Sequence, residues 1–600
     1  MPMDFKTTEE IKVPKKLIDQ IIGQDKAVKL AKMAIQNRRH LLLIGPPGTG
    51  KSMLAKAMAE LLPKEGLEDF LAFPNPKDEF QPIIKTVPAG EGKKIVERSK
   101  IAALNALKGK NQLTAIIALI ALLMPFYFYY TGEKILAAAS MIMSSILLVG
   151  LSLGFNVMNK RKLLESIPKL LIDNSDKKHA PFVDATGANP SQLFGNVLHD
   201  PFQSGGLETP AHHRVVPGLI HKAHKGVLFI DEIATLPWDV QYELLVAMQE
   251  KKYPIFGRDE RSGGSIVRTT PAPCDFILVA AGTEEAIKNM HPALRSRIKG
   301  NGFEVYMNED MPDTPENREK LARFVAQEIM RDGKIPHFTR DAVEEIINIA
   351  KKLAGREGYL TLRLRELGGY VRLAGDIAKS KGKKYVTKED VIEAERIGQS
   401  IEEQIVERIK ELRRRYDIVI KEGYEIGRAN GIGVIGNKGV IIPIDVNVAY
   451  GNGKIITSGI LGKIAEQAIK TIEGYVKSVF GKDIKEYDIY VQFVQTYEEI
   501  EGDSASLAIA LATISALTKT PLDQSFVITG SIDVKGRVLP VGGIIPKIEG
   551  AIEEGFKNII IPKQNLKDVP KEYFNNINIY GVSTIDEALN LVGAKPDKKL

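Results

Sequence analysis

Apolar positions along the chain fall into several distinct patterns. Short unbroken runs such as HLLLI (40–44), the VLFI of GVLFIDEI (226–233) and FILVAAGT (276–283) have strand length and predict buried strands. The segments MLAKAMAELL (53–62) and DAVEEIINIAKKLA (341–354) carry a helical pattern. A charged helical link, IEEQIVERIKELRRR (401–415), precedes a change of texture. Beyond it, the β-branched run KGVIIPIDVNVAY (438–450) and glycine-rich turns, GRANGIGVIG (427–436) and GNGK (451–454), alternate with helices. This predicts a separate α/β domain. Within it, EGDSASLAIALATISAL (501–517) places a Gly-Asp-Ser turn before a long apolar helix of small residues.

Two further runs stand apart. LTAIIALIALLMPFYFYY (113–130) and ILAAASMIMSSILLVGLSLGF (135–155) hold 18 and 21 residues without a charge. A helix needs about 20 apolar residues to cross a bilayer. Core helices normally keep a polar stripe, and neither run has one. Lys93, Lys94, Arg98, Lys100, Lys108 and Lys110 precede the first run, and Lys160, Arg161, Lys162 and Lys169 follow the second. The connection between the runs has one Lys and one Glu. The expectation is a transmembrane hairpin with both chain ends in the cytoplasm and the turn outside. Residues 126–130 then form an aromatic belt, and Ala137, Ser140, Ser144 and the Gly150/Gly154 pair allow close helix packing. A cell-membrane location follows, with two spans, cytoplasmic catalytic domains and the lipid bilayer as a partner.

Composition narrows the remaining choices. At 600 residues the chain is too long for one core, and 44% hydrophobic with 26% charged residues is globular. The N-terminus has no apolar signal region, so export of the catalytic mass is not expected. One cysteine, Cys274, excludes an internal disulfide framework. The net charge of +7 permits contact with nucleic acid without calling for it, and the lysines outside the hairpin flanks are dispersed. The spacing His221-x-x-His224, near His212 and His213, would suit a metal, but no cysteine or carboxylate cluster accompanies it. No H-E-x-x-H occurs, which excludes a zincin-type protease.

GPPGTGKS (45–52), comprising Gly45, Pro46, Pro47, Gly48, Thr49, Gly50, Lys51 and Ser52, fits G-x-x-x-x-G-K-[ST] between a strand and a helix. Its glycines let backbone N–H groups approach phosphates at a helix N-terminus. Lys51 then neutralises the β/γ-phosphates of ATP, and Ser52 ligates Mg²⁺. Asp231 and Glu232 end the strand of GVLFIDEI, where Asp231 can hold Mg²⁺ and Glu232 can polarise the attacking water. Arg295 and Arg297 lie in HPALRSRIKG (291–300). In this order, with IIGQ (21–24), the pieces resemble the AAA+ ATPase family.

That resemblance implies a P-loop α/β domain over 1–315, a helical lid over 316–400, a linker over 401–414 and a homohexameric ring. Arg297 or Arg295 would reach a neighbour's γ-phosphate, and Arg365 of LRLRELGG (362–369) matches the second sensor. The first sensor falls on Thr283, where the family usually has Asn. The pore loop falls near Phe194, which either grips an unfolded chain or is merely packed.

The second domain, 415–600, has its own chemistry. Ser504 sits near a helix N-terminus, where it is either a nucleophile beside oxyanion-stabilising N–H groups or a simple cap. All nine histidines precede Phe338, so a Ser-His-Asp triad within this domain is excluded. A buried lysine can replace the base, and Lys547 lies beside the apolar stretch LPVGGIIPKIEG (539–550). GDSAS (502–506) followed by VGGIIPKIE (541–549), with ITGSIDVKGRVLPVGG (528–543), resembles Lon proteases. The resemblance implies Ser504 as nucleophile, Lys547 as general base and Thr529 as the partner that orients the lysine. Asp503 replaces the proline found before the serine in many bacterial relatives, and its role stays open.

The whole chain resembles the archaeal, membrane-anchored Lon type. The fold class is therefore multidomain α/β: an AAA+ domain with the hairpin inserted at 113–155, a helical lid and a C-terminal Lon-type protease domain. The expected activity is ATP-dependent endopeptidase action on unfolded or damaged proteins. Two other classes compete, an AAA+ remodeller whose second domain only binds, and a nucleic-acid motor.

Overall fold

The computed structural model describes residues 5–198, 209–257, 267–415, 418–458, 462–494 and 503–593. The side chains of 104, 106–117, 150–165, 402, 413 and 458, and the surroundings of Gly462, are outside that description. The chain divides into two compact units, one spanning 14–308 and the other comprising 1–13 with 309–600. The second of these units resumes at Glu309 and takes in the segment expected to be the lid. The N-terminal segment belongs with it because Thr8 is buried there, bonded to His337 Nδ1 (3.0 Å) and to the Phe338 N–H (3.0 Å).

The first unit is built on β1 (His40–Ile44), after which α1 (Lys51–Leu61) follows. Further on come α2 (Glu91–Tyr130), α3 (Lys134–Ser166), β2 (Phe182–Asp184), α4 (Pro190–Phe194), β3 (Val227–Ile230), β4 (Ile277–Gly282), α5 (Pro292–Asn301) and β5 (Gly302–Tyr306). The strands form one parallel sheet in the order β5-β1-β4-β3-β2. Successive side chains of a strand point to opposite faces, and a sheet covered on both sides needs apolar residues at every position. Leu41, Leu43, Val227, Phe229, Ile277 and Val279 accordingly enter one core, while Leu42, Ile44, Leu228, Ile230, Leu278 and Ala280 enter the other. Parallel pairing brings the carboxyl ends of β1, β3 and β4 to one edge, which becomes the site.

The two long apolar runs are helical, as parts of α2 and α3, and Ser144 Oγ donates to the Ala121 carbonyl (2.6 Å) between them. The expected membrane crossing does not follow. Among the described residues no helix is long and apolar enough to cross a membrane. The stretches whose side chains are described, 118–130 and 134–149, fall short of the about 20 residues a span takes. The two spans, the cell-membrane location with cytoplasmic catalytic domains, and the bilayer as partner are therefore withdrawn. Gly150, Gly154, Lys108, Lys110, Lys160, Arg161 and Lys162 have side-chain positions outside the described residues. Leu119, Leu123, Phe126, Met141 and Ile142 stand exposed on the isolated chain.

The insertion leaves the main sheet intact because it grows from a separate three-stranded antiparallel sheet, Ile83–Pro88, Glu68–Phe73 and Lys169–Ile172. Asp69, fully buried, holds this root. Its Oδ2 accepts from Gly90 N–H (2.8 Å) and Gly92 N–H (3.0 Å), and its Oδ1 from Asn174 N–H (2.8 Å).

In the second unit, α6 (Pro315–Asp332), α7 (Arg340–Ala354), α8 (Leu364–Ser380) and α9 (Lys388–Ile397) form the lid. The link is α10 (Ile401–Arg415), and it is docked: Val406 is buried in the following domain's core and Lys410 Nζ pairs with Glu553 (2.6 Å). Then come β6 (Arg428–Ile435), β7 (Lys438–Tyr450), β8 (Ile455–Ser458), α11 (Gly462–Phe480), β9 (Tyr487–Phe493) and α12 (Ser506–Thr518). The last stretch holds β10 (Phe526–Ile528), β11 (Ser531–Ile532), β12 (Val538–Leu539), α13 (Ile544–Glu553), β13 (Asn558–Pro562), β14 (Asn578–Val582) and α14 (Ile585–Val592).

Seven of these strands form a mixed sheet in the order β8-β9-β7-β6-β10-β13-β14. Helices α11 and α12 share the core of one face with Val446, Ile489 and Val491. Ile544 and Ile548 of α13 join Ile432, Ile441 and Ile559 in the core of the other face. Helix α12 is buried along nearly its whole length, which explains why it has no polar stripe.

Candidate functional site

The first site forms where β1, β3 and β4 end. After Ile44 the chain turns at Gly45, whose N–H donates to the Gly282 carbonyl at the end of β4 (3.1 Å). A Cβ on Gly45 would stand 2.9 Å from Met307 Cβ, so only glycine lets the loop leave the strand here. Gly50 closes the loop at φ +94° as the residue before α1. Thr49 Oγ1 ties back to the Pro46 carbonyl (3.0 Å). Lys51 is buried, and its Nζ donates to the carbonyls of Gly45 (2.7 Å) and Pro46 (3.0 Å), which holds the ammonium under the arch of the loop. Ser52 follows it on the first turn of α1. Gln24 braces this arrangement, donating to the Thr49 carbonyl (3.5 Å) and the Asn308 carbonyl (2.8 Å). Nothing in the spacing of IIGQ points to that role.

The acidic pair occupies the same edge. Asp231 N–H donates to Thr186 Oγ1 (2.9 Å), and Glu232 takes left-handed backbone angles, φ +48° and ψ +52°. Non-glycine residues hold such angles only where surrounding structure imposes them, and these places cluster at functional sites. Glu232 Oε2 lies 3.8 Å from where a Cβ on Gly282 would be, so its carboxylate stands at the end of β4, one residue before Thr283. The loop, Lys51, Ser52, Asp231, Glu232 and Thr283 therefore share one edge. Glycine turns at a helix N-terminus, a lysine, a hydroxyl and two carboxylates are the donor set a magnesium–nucleotide takes. Thr186 had no sequence signal beyond its place after a strand.

The other expected residues lie elsewhere. Arg295 Nε pairs with Glu304 (3.4 Å) within its own chain. The Arg297 charge bears on His40 at the opposite, amino end of β1. Burial first, and Arg297 next, push the His40 pKa down to about 4. Arg365 belongs to the other unit, exposed on the first turn of α8. For Phe194 the structure shows a packed ring, the second of the two readings the sequence left open. The residue ends α4, which the Asn189 capping box starts, and is fully buried among apolar core residues with its ring 5.1 Å from that of Tyr253. The histidines are held structurally, as in His224, whose Nδ1 accepts from Asp275 N–H (3.1 Å) while Nε2 bonds Glu68 (3.1 Å).

The second site lies in the mixed-sheet domain. Ser504 opens the approach to α12, and Ser506 N–H donates to the Asp503 carbonyl (2.9 Å), closing the turn. Glu501, the first residue of the quoted motif, lies outside the described residues. Lys547 emerges from the first turn of α13 with only 2% of its surface exposed, and its Nζ donates to the Gly542 carbonyl (3.0 Å). Burial pushes its pKa down to about 8, and the Asp503 carboxylate offsets part of that shift. The structure thus brings Asp503, adjacent to Ser504, within electrostatic reach of Lys547.

Three other residues complete this site. Thr529, expected to orient the lysine, instead donates through Oγ1 to the Ser504 carbonyl (3.2 Å), which also accepts from Gly530 N–H (2.9 Å). Buried Asn565 pairs with both backbone groups of Val541 (2.9 and 3.1 Å), fixing the glycine turn that leads into α13. Ser531 Oγ donates to Asp503 Oδ2. Asn565 and Ser531 could not be found by spacing, since each acts across the fold.

Residues 400–593 match the Lon protease (S16) C-terminal proteolytic domain, and residues 337–397 match the archaeal LonB AAA+ ATPase lid domain. In the first unit, residues 17–75 match the magnesium chelatase subunit ChlI family and residues 163–289 the Sigma-54 interaction domain. Over its length the chain is similar to proteins named archaeal Lon protease. It is 55% identical over 596 residues to that of Thermococcus kodakarensis, covering 98% of this chain and 93% of the relative. For Archaeoglobus fulgidus the identity is 53% over 604 residues, covering 100% and 96%. For Methanocaldococcus jannaschii it is 36% over 651 residues, covering 98% and 97%.

Proposed function

The chain belongs to the archaeal Lon protease family and is an ATP-dependent serine protease, and from that premise we propose how its two sites divide the work. In the first unit Lys51, Ser52 and Asp231 hold magnesium–ATP, and Glu232 orients the attacking water, with Thr283 beside it. The bound nucleotide supplies the free energy of phosphoryl transfer for moving substrate. Arg297 or Arg295 acts on a neighbouring copy's nucleotide in a ring of six, with Arg365 as the lid's sensor. The substrates are unfolded or damaged proteins.

In the second unit Ser504 Oγ attacks the scissile carbonyl while Lys547 Nζ takes its proton and passes it to the leaving amine. Water then releases the acyl group with the lysine again moving the proton. The observation that carries this reading is Lys547 itself, an almost fully buried lysine shifted to about 8. At pH 7 such a group is neutral in about one molecule in ten, against roughly one in 2,500 for an ordinary lysine. The domain contains no histidine to take its place.

Ser504→Ala and Lys547→Met, made separately in the full chain, are expected to abolish cleavage of a fluorogenic peptide and of casein while ATPase activity persists. Lys51→Ala is expected to abolish ATPase activity and casein degradation. Unchanged cleavage in Ser504→Ala would refute the dyad, and ATP-driven remodelling without any cleavage, untouched by Ser504→Ala, would favour a remodeller. DNA-stimulated ATPase without casein cleavage would favour a nucleic-acid motor.

A further inference from the structure

The turn that carries Ser504 is gripped from one side by residues 529–531. Gly530 N–H and Thr529 Oγ1 both bond the Ser504 carbonyl, and Leu507 N–H donates to the Gly530 carbonyl (3.0 Å). These three bonds hold backbone. The fourth, from Ser531 Oγ to Asp503 Oδ2, ends on a charge. Ser531 is 5% exposed and begins β11, paired with Leu539 of β12, so its hydroxyl is largely shielded from water.

Asp503 is the charged group that acts on Lys547 among the described residues. The others around the lysine are engaged elsewhere. On α13, Glu549 accepts from Tyr573 Oη (2.6 Å) and Glu553 pairs with Lys410 (2.6 Å). On β7, Lys438 lies 3.7 Å from Glu553 and Asp445 lies 3.5 Å from Arg428. Beyond β11, Asp533 pairs with Arg537 (2.6 Å), and near the glycine turn Asp568 accepts from Asn565 (2.9 Å). Helix α12 and residues 526–532 carry no charged side chain.

A carboxylate beside a buried ammonium stabilises the charged lysine, which cannot accept a proton. A hydroxyl donating to that carboxylate satisfies one oxygen and fixes its direction. We propose that Ser531 is a positioning residue for peptide cleavage: by holding Asp503 on the strand side of the turn, it keeps that carboxylate from forming an ion pair with Lys547. The proposal rests on Ser504 and Lys547 being the cleaving pair.

The test is the pH profile of kcat/KM for a fluorogenic peptide, measured on the full chain as wild type, Ser531→Ala, Ser531→Thr, Asp503→Asn and the Ser531→Ala/Asp503→Asn double variant. Freed from Ser531, Asp503 holds the lysine charged, so Ser531→Ala is expected to move the acidic limb upward by about half to one pH unit. At pH 7 that is a loss of roughly three- to tenfold, recovered on the alkaline side. Ser531→Thr retains the wild-type limb. Asp503→Asn moves the limb the opposite way, and the double variant follows Asp503→Asn.

A pH-independent loss in Ser531→Ala that Asp503→Asn does not relieve would overturn the proposal, leaving Ser531 as packing. A Lys547→Met variant separates the two levels. If it still cleaves, the dyad reading itself fails; if it is inactive and Ser531→Ala leaves the limb in place, only the proposal about Ser531 fails.

Discussion

Replacing Phe194 with alanine separates a packed aromatic from a substrate grip. The ring is fully buried, sits 5.1 Å from Tyr253 and shares a core with Leu193, Ile220, Leu228 and Leu244. Deleting a buried phenyl ring costs about 3–5 kcal/mol through lost transfer energy and the cavity left behind. The ring pair with Tyr253 adds about 1 kcal/mol to what is lost. In a domain of this size each kcal/mol lowers the midpoint by roughly 2–4 °C, so Phe194→Ala should unfold about 10 °C or more below wild type. Phe194→Leu, which keeps most of the volume, should lose about 1.5 kcal/mol or less.

The assay is built into the chain. Its single tryptophan, Trp238, begins the helix Trp238–Glu250, whose Val240, Leu244 and Leu245 belong to the same core. Its indole N–H donates to the Asn289 carbonyl (3.2 Å). Tryptophan emission therefore follows unfolding of this core without contribution from the protease domain. An unmoved midpoint in Phe194→Ala, with protein degradation lost and peptide cleavage intact, would refute the packing argument and restore the grip.

Three further outcomes are expected. For wild-type protein, neutral Lys547 is the competent base and its pKa is lowered, so competence is present above about pH 8 and lost as pH falls through it. The kcat/KM for a short peptide at pH 7 should be about a tenth of its plateau, and a limb near pH 10 would contradict this. Gly45→Ala would push a methyl to within 2.9 Å of Met307 Cβ, and a fluorescent ATP analogue titrated onto it should bind at least roughly tenfold more weakly. Asp69→Ala orphans the buried N–H groups of Gly92 and Asn174, each worth about 1–3 kcal/mol, and the half-buried one of Gly90 at the root of the helical insertion. Limited proteolysis should then cut near 88–92, where wild type resists.

Local chemistry made much of this protein legible. The loop of 45–52 and the acids 231–232 have fixed offsets from apolar strands, because a phosphate site needs strand, turn and helix in direct succession. The absence of histidine after Phe338 likewise removed one catalytic class by composition alone. Charge and length, however, pointed to a membrane hairpin. A hydropathy run measures only how apolar a segment is, and among the described residues no helix is both long and apolar enough to cross a membrane.

Tertiary structure decided what spacing could not express. Phe194 looked available because a loop position follows a strand, but the fold packs it into the core beside Leu193, Ile220 and Leu228. Thr529 sat plausibly near a lysine in sequence, yet its hydroxyl is used on the Ser504 carbonyl. Gln24, Thr186, Ser531 and Asn565 act on residues brought to them by the sheets, at separations with no period. Sequence by itself determined which reactive groups this chain has and which local turns present them. Only the fold decided how deeply Lys547 is buried and which carboxylate reaches it, because desolvation and Coulomb fields depend on distance through space.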